Sequence, residues 1–132
     1  MTAIHHARLS RRVLIIERHD DTCIALSALF EYYGHKVQCV AGVEAALVCA
    51  QGFAPDAILL SLDYGDSSGF LLCKQLRALP ETASSLIVGV STYYTVDTPN
   101  VTDTAGFNEI VLKPIDIEWF IETLAKGSQH GL

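Results

Sequence analysis

Positive charge is scarce in this sequence: nine Lys and Arg stand against fifteen Asp and Glu, a formal net charge of -6. Nucleic-acid binders draw most of their affinity from cations set against phosphates, so the domain as a whole is not expected to bind nucleic acid. Nor does any apolar run reach membrane-spanning length. The first twelve residues carry His5, His6, Arg8, Arg11 and Arg12 and lack the apolar core of a secretion signal. The four cysteines, Cys23, Cys39, Cys49 and Cys73, share no metal-type spacing, and each falls in an apolar-patterned element. They are expected to be reduced, buried and to act as small hydrophobes. His5, His6, His19 and His35 show no ligand spacing either and are expected at the surface. No membrane association, no bound metal and no cofactor are expected. Together these absences read as a soluble cytoplasmic domain.

What the chain does have is apolar residues, half of the total, enough for one domain with a real core. Residues 1–11 read as a flexible leader whose arginines form a solvated flank, and residues 127–132 as a frayed tail. Between them, short β-branched or unbroken apolar runs alternate with helical spacing. The strands are expected at Val13 to Ile16, Lys36 to Val40, Ala57 to Leu62, Leu86 to Val90 and Glu109 to Leu112. The first helix, capped by Asp20 or Asp21, runs to Tyr33 and stops at Gly34. The second covers Val43 to Gln51, and the third runs from Ser67 or Ser68 to about Leu79, before Pro80. A short fourth spans 99–105, in a segment whose threonines and valines suit a helix poorly. Asp116 caps a fifth, ending at Lys126.

Unbroken apolar strands are those buried on both faces. Five of them alternating with five helices make an α/β fold, a doubly wound five-stranded parallel sheet. Right-handed crossovers bring every strand's carboxyl end to one edge, where such folds carry their sites. That edge collects Glu17, Arg18, Ser61, Ser91 and Lys113.

The order and spacing resemble the receiver domain of two-component response regulators over residues 12–126. Val13-Leu14-Ile15-Ile16 followed by acidic residues, Pro55-Asp56, Gly69, Ala105-Gly106 and, most specifically, Lys113-Pro114-Ile115-Asp116 carry the likeness. The resemblance implies an acidic pair that holds Mg²⁺ and an aspartate ending the third strand that takes a phosphoryl group. It also implies a hydroxyl residue and a lysine that contact the phosphoryl oxygens. Ser91 and Lys113 occupy the last two positions, and Glu17 keeps one member of the acidic pair as a vestige of the metal site. The rest depart from the pattern. Arg18, a fixed cation, replaces the second acid. Ser61 stands at the acceptor and cannot form an acyl phosphate. Ile110 stands at the aromatic switch position. The three replacements agree with one another and read as a degenerate receiver, or pseudo-receiver, with no enzymatic activity.

Alternatives remain open at several residues. Ser61 fills the acceptor's place, is itself phosphorylated, or acts as a nucleophile with His19 as base and Glu17 as orienter. Asp63 is a displaced acceptor or a solvated loop acid. Lys113 holds an anion in the vacated pocket, making the domain a sensor of anions or small molecules, or it pairs with Glu17 or Asp63. Arg18 pairs with the same two acids. Ser67 and Ser68 read as helix caps. Trp119 lies off the inward stripe of Phe120, Ile121 and Leu124. With Ile110 it is a candidate contact on the face of the fourth helix, fifth strand and fifth helix, which the family uses for partners. The alternative is that Trp119 lies flat over a neighbour. The expected partner is a histidine kinase, regulator or output domain, or a second copy in a homodimer.

Overall fold

The computed structural model describes residues 10–62, 68–92 and 106–126. In chain order these form β1 (Arg12–Ile16), α1 (Asp20–Tyr32), β2 (Lys36–Val40), α2 (Val43–Phe53), β3 (Ala57–Leu62), α3 (Ser68–Arg77), β4 (Leu86–Ser91), β5 (Glu109–Leu112) and α4 (Ile117–Lys126). The strands pair in parallel in one sheet, ordered β2-β1-β3-β4-β5. The fold class is the one expected, with four helices among the described residues. The helix expected over 99–105 lies outside them.

Alternation along the buried strands divides the core into two layers. Leu14, Ile16, Ile58, Leu60, Leu62 and Ile87 face Ala46 and Ala50 of α2 and Leu72 and Leu76 of α3. Val13, Ile15, Leu59, Val88 and Val90 face Phe30 of α1 and Phe120, Ile121 and Leu124 of α4. An unbroken apolar strand is therefore needed in the middle of the sheet: successive residues serve opposite layers. The Phe30 and Phe120 rings, 5.2 Å apart at their centroids, join α1 to α4 in the second layer.

Helix ends mostly follow the local chemistry expected of them. Asp116 Oδ1 accepts the Trp119 N–H at 3.1 Å, the anticipated cap of α4. Gly34, at φ 94°, ends α1, and its N–H donates to Glu31 O at 2.9 Å. The start of α1 differs. His19 is its N-cap and forms no side-chain cap bond, while Asp20 and Asp21 lie in the first turn, where their charge suits the helix dipole.

Three expectations fail because distant parts of the chain supply partners that local pattern does not show. Of the arginines expected to form a solvated flank, Arg8 lies outside the described residues, while Arg11 and Arg12 bond into the fold. Arg11 Nε donates to Leu124 O at 2.9 Å, and Arg12 Nε donates to Phe53 O at 2.6 Å while lying over the Phe53 ring. Arg11, the last residue of the expected leader, is thus bonded to the end of α4. His35 is buried, and its Nδ1 accepts the Arg11 N–H at 3.0 Å. Cys23 and Cys39 form a disulfide, leaving Cys49 and Cys73 as the free thiols. Cys23 shares the inward stripe of Leu26 and Phe30, and Cys39 shares the inward side of Val37, so the packing of α1 against β2 brings the sulfurs together. Closing a loop across 16 residues is worth about 3 kcal/mol by chain entropy.

Candidate functional site

Parallel strands bring the chain ends expected at the site to a common edge. Glu17 directly follows β1, and its N–H donates to Val40 O at 2.9 Å, fixing it beside the end of β2. Ser61 is the penultimate residue of β3 and pairs with Val90. Ser91 ends β4, and its carbonyl accepts the Lys113 N–H at 2.8 Å. That bond carries the β4–β5 ladder one residue past β5 and points Lys113 back over the edge. The Lys113–Pro114 peptide is cis.

Glu17, Ser61 and Lys113 meet through their side chains. Lys113 Nζ donates to Ser61 Oγ at 2.9 Å and lies 3.7 Å from Glu17 Oε1. Glu17 is 5% exposed, and its second oxygen accepts the His19 N–H at 3.1 Å. Of the two partners expected for Lys113, Glu17 is the one seen. Asp63 lies outside the described residues, as does Ser67. Arg18 is exposed, on the rim of a cavity of about 210 Å³ that Glu17, Ser61, Ser68 and Gly69 also line. A second cavity, of about 530 Å³, opens on the other side of Glu17 and Ser61, between α1 and α4. Leu26, Leu59, Val90, Ile115 and Ile117 make its apolar wall, with Lys113 at the polar end.

The pair of Glu17 and Lys113 is asymmetric: the carboxylate is buried, while the lysine side chain keeps 30% of its exposure. Removing the cation leaves a buried charge with one N–H for compensation, so Lys113→Met should cost about 1–2 kcal/mol in urea unfolding. Adding Glu17→Gln should recover part of that loss, a coupling that a double-mutant cycle reads directly. Additive losses would mean that the contact carries no energy.

Mg²⁺ does not fit the described donors. It takes hard, largely anionic oxygen ligands, and here the single carboxylate, Glu17, already faces the Lys113 ammonium, with Arg18 next in sequence. No cluster of three metal-ligating side chains occurs among the described residues. Ser61 Oγ accepts from an ammonium, and His19 is exposed at the start of α1.

The remaining expected residues are dispersed. Ile110 is 7% exposed and sits in the first core layer with Leu62, Ile87 and Phe107, which takes it off any contact surface. Trp119 is half-buried against the second layer, its ring 6.3 Å from that of Phe120. The sequence reading missed the Cys23–Cys39 bond, although Cys23 Sγ lies 3.5 Å from the Glu17 carbonyl oxygen. The sequence put each cysteine in an apolar-patterned element, but nothing local showed that α1 and β2 adjoin.

Known proteins share this architecture. The chemotaxis protein CheY4 of Vibrio cholerae superposes with a TM-score of 0.79 at 20% identity, covering 89% of this chain and 98% of that one. A response regulator protein from Burkholderia multivorans superposes at 0.74 with 27% identity, covering 90% and 95%. The sensory/regulatory protein RpfC of Xanthomonas campestris is 30% identical over 124 residues, which is 92% of this chain and 17% of that protein. The chain thus spans about a sixth of the length of that curated relative. No described helix is long and apolar enough to cross a membrane. The response regulator receiver domain model matches residues 13–125. This chain, with its parallel sheet and the lysine following β5, belongs to the response regulator receiver domains, the signalling modules of two-component systems.

Proposed function

We propose that this receiver signals without aspartyl phosphorylation, as an interaction module whose site is held in one arrangement by an internal ion pair. The observation that carries the reading is Lys113, bonded to Ser61 Oγ at 2.9 Å and set 3.7 Å from Glu17. Where the resemblance calls for an acceptor carboxylate and a metal-binding pair, the chain offers an alcohol, one carboxylate and two cations. An alcohol cannot give an acyl phosphate, and the cations replace the charge a dication would bring. The module is cytoplasmic and not an enzyme. Its partner is a histidine kinase, regulator or output domain, met through the surface around Trp119 and β5, or a second copy.

Intact-mass spectrometry after incubation with Mg²⁺ and acetyl phosphate tests this, with Ser61→Asp alongside. The natural protein should gain no phosphoryl group. A gain would overturn the reading, and if Asp63→Asn abolished it, the acceptor would be that displaced carboxylate. A second reading, a sensor of small molecules or anions, draws on the cavity of about 530 Å³ with Lys113 at its polar end. Ligand-dependent thermal shifts that Lys113→Ala removes would favour it.

A further inference from the structure

We propose that Cys23 and Cys39 form a reversible redox site that sets how firmly α1 is held beside Glu17, with hydroperoxides as oxidant and dithiols as reductant. The inference is independent of whether any residue takes phosphate. It does rest on the cytoplasmic reading, because in a reducing compartment a disulfide is generally a transient, sensing bond.

The position of the bond gives it leverage. It joins the first turn of α1 to the penultimate residue of β2. Glu17 lies between the two elements, its N–H on Val40 O at 2.9 Å and its carbonyl oxygen 3.5 Å from Cys23 Sγ. The same end of α1 has no side-chain cap bond, so the covalent tie has little local redundancy. Thr22 and Leu26 of α1 line the larger cavity, whose polar end holds Glu17, Ser61 and Lys113. Loosening α1 therefore moves a wall of the site.

Exposure separates this pair from Cys73 but not from Cys49. Cys23 and Cys39 are half-buried, and thiol exchange in the folded state needs a reagent to reach them there. Cys73 is fully buried, and burial pushes its thiol up to about 11 against the opposing pull of Arg77. Burial also raises Cys49. A raised pKa leaves less thiolate, which weakens both free thiols as nucleophiles.

In the oxidising step, one cysteine thiolate attacks a peroxide oxygen, the O–O bond breaks, and a sulfenic acid and hydroxide form. The second sulfur attacks the sulfenic sulfur, the S–S bond forms and the S–O bond breaks. With hydrogen peroxide, two thiols and one peroxide become a disulfide and two waters. In reverse, a dithiol's thiolate attacks one sulfur, and its second thiol resolves the mixed disulfide, releasing both cysteines and leaving the reductant oxidised.

The test uses the full chain and three readings. After one equivalent of hydrogen peroxide, denatured protein should titrate two thiols, rising to four after reduction. Dithiothreitol at neutral pH should open the bond in the folded state within minutes, and peroxide should restore it over repeated cycles. Amide hydrogen exchange should rise at least threefold on reduction in residues 17–26 and 36–42, and stay unchanged in 86–91. Cys49→Ser with Cys73→Ala should keep all three behaviours, and Cys39→Ser should show the reduced exchange pattern without reductant. Four thiols after peroxide would overturn the proposal. So would a bond reducible only after unfolding, or exchange indifferent to its state.

Discussion

Replacing Arg77 with alanine should lower the unfolding free energy by at least about 3 kcal/mol, a large part of the 5–15 kcal/mol typical of a domain. The side chain ends α3, where the helical pattern alone suggests a solvated cation. Instead its Nε donates to Gly106 O at 2.9 Å and its Nη1 to Ser85 O at 2.6 Å. Nη1 also approaches Thr82 O and Ala83 O at 3.3 and 3.2 Å, and Nη2 donates to Asn108 Oδ1 at 2.7 Å. Asn108 Oδ1 in turn accepts the Ile87 N–H at 2.7 Å. One planar fork therefore joins α3, the turns before β4 and the lead-in to β5. Its burial lowers the guanidinium's proton affinity, and the carbonyls around it are what make that burial tolerable. Lysine should not rescue the variant, because a single ammonium cannot reproduce the fork. Equilibrium unfolding in urea decides the matter: a loss under about 1 kcal/mol would mean that water replaces the guanidinium freely.

The second large effect lies in the other layer. Phe120 is fully buried, and its ring meets that of Phe30, also fully buried, at 5.2 Å. Phe120→Ala should cost about 3–5 kcal/mol, since transfer and cavity terms add where the surroundings cannot collapse. Phe120→Leu keeps most of the volume and should cost less than about 1.5 kcal/mol. Comparable losses for the two would point to the ring–ring contact rather than the filled volume. This pair also spaces α1 from α4, the two helices that wall the cavity beside Lys113. Loss of the ring should therefore disturb site and stability together.

The contrast between these residues shows what the sequence could reveal. The strand at Ala57–Leu62 was legible because a segment buried on both faces must be apolar throughout, and Phe120 because helical spacing alone turns it inward. The edge residues were legible through topology, since parallel strands deliver their carboxyl ends together. Arg77, His35 and the Cys23–Cys39 pair were not. Each is defined by partners outside its own element, and a half-buried arginine or a buried histidine looks the same in a sequence as an exposed one. Ile110 was misplaced for a related reason. Its family position suggested a surface role, whereas the strand turns it into the core layer of Phe107 and Ile87.

The hydrogen bond from Arg11 to Leu124 O joins residues 113 positions apart. It places the chain just before β1 against the end of α4, so both ends of the described fold leave the surface at one place. That geometry suits circular permutation. In a variant cut to the described fold, a short linker could join residues 10 and 126, and new ends could open in the turns of residues 78–85. Strand adjacencies would be untouched, while the guanidinium fork of Arg77 would have to hold the cut from one side.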